Sequence, residues 1–280
     1  MSAPTAAQAM ALAASRLRAA GVPDPARDAR ILLAHAASVD AARVTLIAPE
    51  EIAPEIAERF EHLIALRAVR VPVSHLIGSR GFYGRDFKVS RDVLDPRPET
   101  ETLIELALAA PFGRVLDLGT GSGCILVTLL AERPDASGVG TDLSEAACLQ
   151  ASANAVLHGV QARAEITQSD WFENVDGRFD LIVSNPPYLA ATEMADVAPE
   201  LALHEPAMAL TDGADGLSVY RIIAAQAQGY LTSKGRVMVE IGWQQGQDVS
   251  KIFQDSGWGR VTLAHDLDGR PRVVCADRPA

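Results

Sequence analysis

Apolar positions recur at helical spacing over the first quarter of the chain and as short buried runs over the rest. Gly21 closes a first helix, Asp24-Pro25 supplies a cap followed by proline at the first helical position, and "RDARILLAHAA" then repeats apolar residues every three or four positions. A further helix is expected from Pro54 to about Val69, with Ile56, Phe60, Leu63 and Ile64 on one face. Residues 1–74 therefore read as a small helical domain. Between 75 and 95 the texture changes: "GFYGRDFKVSRDVL" mixes glycine, aromatics and alternation, which predicts a short hairpin acting as a linker. In "RPETETLIELALAA" a helix begins, with Thr100 as its cap and Glu99, Glu101 and Glu105 near its positive end.

Over 96–280 strand-like and helix-like segments alternate. Strands are expected at "RVLDLG", "SGVGTD", "AEITQSD", "DLIVSN", "RVMVEI", "VTLAHD" and "RVVCAD". Helices fill the intervals after Gly123, after Ser144, from Ser218 to Tyr230 and from Gln245 to Ser256. This α/β alternation predicts a Rossmann-like parallel sheet covered on both faces, with ligands outside the carboxyl ends of its strands. Only "LDGRP" separates the last two strands, a turn that joins antiparallel neighbours. A late antiparallel hairpin suits a methyltransferase sheet better than a dehydrogenase sheet.

Composition narrows the field. The chain has 280 residues, 48% hydrophobic and 22% charged, which suffices for a sizeable core. With 36 acidic and 25 basic residues its net charge of -11 repels a phosphate backbone, so DNA is not an expected partner. Cys124, Cys148 and Cys275 are widely separated and lack metal-ligand spacing, which fits a reduced, cytoplasmic protein without a metal. The opening "MSAPTAAQAMALAASRLRAA" reads as an amphipathic helix rather than a signal peptide, and no apolar run approaches a bilayer span.

The candidate chemistry sits at strand ends. After Val115 to Leu118 come Gly119, Thr120, Gly121, Ser122 and Gly123, then a helix. Glycines there allow a sharp turn and let a ligand approach the main chain and the helix N-terminus. A bare tight turn would use glycine too, and both dinucleotide and S-adenosylmethionine sites use this pattern. Asp142 ends the next strand, where an acid accepts bonds from ribose hydroxyls; it is equally placed to cap the following helix. Asp170 and Trp171 end a further strand, and a loop there borders the adenine of a bound nucleoside.

"DLIVSNPPYLA" separates the cofactors. A planar NH2 is a poor nucleophile because its lone pair is delocalised, and acceptors holding its two hydrogens aim the nitrogen at an electrophilic methyl. Asn185 offers a side-chain carbonyl, Pro186 a main-chain carbonyl, and Tyr188 an aromatic wall, while Pro186 and Pro187 stiffen the loop. A dehydrogenase has no evident use for this set, nor has a nucleotide-binding regulatory protein without turnover.

"NPPY" downstream of "DLGTGSG" resembles the S-adenosylmethionine-dependent amino-methyltransferases of DNA adenine, ribosomal RNA guanine and protein glutamine. "LIGSRGFYGRDFKVSRDVLDPRPETETLIELAL", "HEPAMALTDGADGLSVYRII", "GRVMVEIGWQQGQDV" and "HDLDGRPRVV" resemble the peptide chain release factor glutamine methyltransferases, and the likeness covers nearly the whole chain. It implies methylation of the glutamine of the Gly-Gly-Gln motif in release factors, by a monomer whose helical domain recognises the release factor. A nucleic-acid adenine or guanine amino-methyltransferase is the alternative. The resemblance places Gly119 to Gly123, Asp142, Trp171 and Asn185 at the cofactor, and Asn185 to Tyr188 at the substrate amide. It also places Arg97, Pro98, Glu99, Thr100 and Glu101 at the border of the active site. Asp95 stands where that family carries an aliphatic residue, and His75 and His204 read as structural.

Overall fold

The computed structural model describes residues 4–279; Met1 to Ala3, at the start of the stretch read as the first helix, and Ala280 lie outside them. One compact unit comprises the described residues up to Ser79 together with Ala198–His204, and a second comprises Arg80–Val197 and the residues from Glu205 onward.

The first unit is helical, with helices at Ala6–Ala19, Pro25–Ala37, Val44–Ile47, Pro54–Ala68, Val73–Ile77 and Pro199–His204. Thr5 opens the first of these with a capping box, its hydroxyl accepting the Gln8 N–H while the Gln8 side chain accepts the Thr5 N–H. Asp24 occupies the cap position of the second helix, but its side chain makes no cap bond. Pro25 starts that helix instead through its preset φ. Leu17, Leu32, Leu33, Phe60 and Ile64 are fully buried, and Ile56 and Leu63 pack partly buried against them.

Arg67 is a polar member of this interior. Its Nε donates to Asp28 Oδ2 at 2.7 Å and its Nη2 to Glu200 Oε1 at 2.9 Å, while Arg70 Nη2 reaches Glu200 Oε2 at 2.6 Å. Burial pushes the Glu200 carboxyl up, but Arg70 and Arg67 outweigh it and hold it below its ordinary 4.5. The Glu200 contribution is therefore present above pH 4.5 and lost as acid carries the pH down through the lowered folded value. Arg67→Ala leaves Asp28 without its cation and Glu200 with Arg70 alone, and is expected to cost about 3–5 kcal/mol, read from denaturant midpoints. A loss under about 1 kcal/mol would show that the cluster is solvated.

The second unit begins at Arg80, within a hairpin of β1 (Ser79–Phe82) and β2 (Arg85–Lys88). Tyr83 and Gly84 between them both have positive φ, 47° and 70°, as a two-residue hairpin turn requires. The seven expected strands follow as β3 (Arg114–Leu118), β4 (Ser137–Asp142), β5 (Ala164–Gln168), β6 (Phe179–Ser184), β7 (Leu231–Glu240), β8 (Val261–His265) and β9 (Pro271–Asp277). They form one sheet in the order β5-β4-β3-β6-β7-β9-β8, in which β9 runs antiparallel to both its neighbours. β3 to β7 pair in parallel. β7 starts earlier than its alternation suggested, because Leu231 pairs with Phe179 before a register shift brings Arg236 opposite Leu181. That irregularity absorbs the polar Thr232 to Gly235, which carry no strand pattern.

Successive residues point to opposite faces. Val115, Leu181, Val183, Met238 and Val273 join a core with Leu103, Ile104, Leu126 and the hairpin residues Phe82 and Phe87. Leu116, Leu118, Ile182, Val237 and Val239 face the other way, onto Val219, Tyr220, Ile223, Val249 and Phe253. Burial on both faces is why the strands read as continuous apolar runs, and it leaves the strand ends as the place for polar chemistry.

Candidate active site

At the carboxyl end of β3 the chain turns through Gly119 to Gly123 into the helix Cys124–Glu132. Two of the glycines show the two demands on this turn. Gly121 has φ 54° and an added Cβ would meet nothing within 4 Å, so its outer face is open. Gly123 has φ 78°, and a Cβ there would lie 3.0 Å from Ala151 Cβ, so it permits close packing of the helix Glu145–Leu157. The buried Asn154 on that helix braces the turn, donating from Nδ2 to the carbonyls of Ser122 at 2.8 Å and Lys88 at 2.9 Å.

Asp142, at the end of β4, completes the turn. Its Oδ2 accepts the Gly121 N–H and its Oδ1 the Ser144 N–H, both at 2.9 Å. The cap of the next helix is Ser144, whose hydroxyl accepts the Ala147 N–H. Of the two roles open to Asp142 in the sequence, capping thus falls to its neighbour. A carboxylate has about four acceptor positions, so two remain for hydroxyls. Burial raises the Asp142 carboxyl from its ordinary range, against the bonds from Ser144 and Gly121.

A cavity of about 340 Å³ opens over these strand ends. Gly119, Thr120, Gly121, Ser122 and Asp142 line one side of it, with Asp170 and Trp171 beyond. Trp171 holds a positive φ of 48°, and its Cζ3 would be 3.8 Å from a Cβ on Gly119. A flat ring at that distance from the turn can stack on a planar base.

Asn185 and Pro187 line the same cavity, as do Arg97, Thr100 and Asp95. Asn185 follows the last residue of β6, and its Nδ2 donates to Thr100 Oγ1 at 3.1 Å. Its Oδ1 is left for a donor from outside. The loop is tightly held: Gln245 Nε2 donates to the Tyr188 carbonyl at 2.8 Å, and the Leu189 N–H to the Leu210 carbonyl at 3.0 Å.

Other expected site residues lie elsewhere. Gly123, Pro186, Tyr188, Glu99 and Glu101 are not among the residues lining the cavity. Pro186 is buried. Tyr188 packs partly buried against the core on the Val219 side of the sheet, and burial, then the Glu240 charge, pushes its phenol up to about 12. Glu101 accepts the Tyr83 N–H at 2.8 Å and so pins the hairpin turn. Thr100 sits at the cap position of its helix without making the cap bond expected of it. Arg97 grips the buried Glu205 from one nitrogen at 2.6 and 2.7 Å. Burial raises the Glu205 carboxyl despite Arg97, and the Asp95 charge adds to the rise.

Two buried acids carry no spacing signal in the sequence. Glu240 ends β7, only 1% exposed, and burial pushes its carboxyl up to about 7. Asp117 lies fully buried in β3, its Oδ2 accepting the Thr120 hydroxyl at 2.7 Å, and burial raises it likewise from 3.8 to about 7. A carboxyl raised in the folded state binds its proton more tightly there than unfolded, so its folded form loses stability as pH rises from about 4 through 7. Asp117→Asn keeps an acceptor for Thr120 without the charge. Relative to wild type it is expected to gain stability progressively over that window; a pH-independent difference in denaturant midpoint would contradict it.

A five-stranded parallel core extended by β9 and β8, with a glycine turn and strand-end polar groups on one cavity, defines a Rossmann-like class I methyltransferase fold. A methyltransferase from Pyrococcus furiosus superposes with a TM-score of 0.55 at 14% identity, over 71% of this chain and 92% of that one. The methyltransferase small domain model matches residues 89–230, and the PrmC N-terminal domain model residues 8–78. The release factor glutamine methyltransferase of Cereibacter sphaeroides is 56% identical over 98% of this chain and 99% of its own length. That of Rhodospirillum rubrum is 45% identical over 95% and 82%. The chain belongs to the release factor glutamine methyltransferase family.

Among the described residues, no helix is long and apolar enough to cross a membrane.

Proposed function

We propose that this enzyme methylates the side-chain amide nitrogen of the glutamine in the Gly-Gly-Gln motif of peptide chain release factors, using S-adenosylmethionine. The observation that carries the reading is the placement of Asn185, with an acceptor oxygen to spare, on the same cavity as the open face of Gly121 and the carboxylate of Asp142. When bound, S-adenosylmethionine supplies a methyl group already activated by its sulfonium. The residues fit it: the glycine turn leaves room for the nucleoside, Asp142 has acceptor positions for ribose hydroxyls, and Trp171 offers a face to the base.

The protein's task is aim. On this reading Asn185 Oδ1 and, from the main chain, the carbonyl of the otherwise buried Pro186 accept the two hydrogens of the glutamine amide, turning its nitrogen toward the methyl group. The carbon–nitrogen bond forms as the carbon–sulfur bond breaks, and its electron pair leaves with sulfur. The new bond makes the nitrogen acidic, so its proton passes to water without a strong general base. Among the expected border residues, Arg97 shapes the cavity wall through Glu205, while Glu99 and Glu101 serve the start of the helix that carries Thr100.

The helical unit supplies recognition of the release factor that a single glutamine cannot. The enzyme acts as a monomer in the cytoplasm, where release factors work. A net charge of -11 weighs against a nucleic-acid substrate. The test is transfer of labelled methyl to purified release factor, beside a copy with the motif glutamine replaced by alanine, and to duplex DNA. Label in the intact release factor alone supports the reading, and label in DNA would replace it with the base-methylating one.

A further inference from the structure

We infer that Thr100 and Glu240 are positioning residues that dictate which way the Asn185 amide faces; the inference rests on the reading of Asn185 as the acceptor for the substrate amide. Sheet register brings the groups together. Ser184 pairs with Val239 across β6 and β7, so Asn185 and Glu240 are the next residues at the carboxyl ends of adjacent parallel strands. Thr100, 1% exposed, lies against both: its Oγ1 receives the Asn185 Nδ2 proton at 3.1 Å, and its side chain is near enough to the Glu240 carboxyl to favour the ionised form.

An asparagine amide has one accepting and one donating end, and nothing in its shape distinguishes them. A threonine hydroxyl has a single proton. An ionised carboxylate can only accept, so Glu240 takes that proton and leaves Thr100 Oγ1 facing Asn185 with lone pairs. Only the NH2 end of Asn185 satisfies it, and Oδ1 must then point to the incoming donor. Burial pushes Glu240 up to about 7, while the Thr100 side chain and then the Arg272 charge favour its ionised form. Without that carboxylate the hydroxyl is free to donate to Asn185 Oδ1, occupying the acceptor the substrate needs. This use of the hydroxyl also accounts for a threonine at a helix cap position that makes no cap bond.

The test is a mutant cycle on the full chain at about pH 8, where Glu240 is mostly ionised. Thr100→Val, Thr100→Ser and Glu240→Gln are measured alone and combined with Asn185→Ala, for kcat of methyl transfer to release factor and for S-adenosylmethionine affinity. Thr100→Val and Glu240→Gln are expected to lower kcat about 10- to 100-fold with cofactor affinity within about twofold, and Thr100→Ser to restore most of the loss. In the Asn185→Ala background neither should cost anything further. Glu240→Gln keeps the shape of the side chain and carries the test if Thr100→Val does not fold. Equal losses in the Asn185→Ala background, or Thr100→Ser no better than Thr100→Val, would overturn the inference. A wild-type enzyme that binds S-adenosylmethionine but methylates no release factor would instead overturn the reading beneath it.

Discussion

Asn185→Ala is expected to lower kcat for release factor methylation about 100- to 1000-fold while leaving S-adenosylmethionine affinity within about threefold. The substitution removes one of the two acceptors proposed for the substrate amide and leaves the Thr100 hydroxyl without its amide partner. Aim is lost, since the glutamine nitrogen is then free to rotate its lone pair away from the methyl group. The cofactor side should change little, because the glycine turn is held by Asp142 and Asn154 rather than by Asn185. Stopped turnover with retained cofactor binding, measured by calorimetry beside a methylation assay, is the distinguishing pair. Near-normal kcat would show that the amide is not the clamp.

Asp142→Ala is expected to weaken S-adenosylmethionine binding about 100-fold. Two effects add. The ribose loses the charged acceptors proposed for it, and the N–H groups of Gly121 and Ser144 lose the carboxylate that now orients them. The second effect makes the alanine variant more damaging than Asp142→Asn, which keeps one acceptor oxygen. At saturating cofactor, kcat of both variants should recover most of its wild-type value, since neither change touches Asn185. A kcat defect that persists at saturation would move Asp142 from cofactor binding to the chemistry itself.

The strands were the most legible part of the fold. Segments such as "DLIVSN" are buried on both faces, so their apolar runs stand out against glycine-rich or charged flanks. The glycine turn and Asn185 were legible because several unusual residues fall together at a strand end. Single residues whose partners are distant in sequence were not. Glu240 looks like any acid after a strand, and only the β6–β7 register shows it beside Asn185. Asn154 is one polar position on a helix until the fold places it under Ser122. Ala198–His204 carries no apolar periodicity that assigns it to the helical unit; Glu200 joins it there through Arg67 and Arg70. Caps misled for a related reason. Asp24 and Thr100 have the right chemistry at the right position, but proline geometry starts one helix and the Thr100 hydroxyl is engaged by Asn185.

The most direct measurement is mass-spectrometric mapping of release factor after incubation with this enzyme and S-adenosylmethionine, with Asn185→Ala enzyme as the control. The expected result is a single added methyl on the glutamine of the Gly-Gly-Gln motif, present with wild type and nearly absent with the variant. A methyl on another residue, or equal modification by the two enzymes, would contradict the assignment of that glutamine to the Asn185 site.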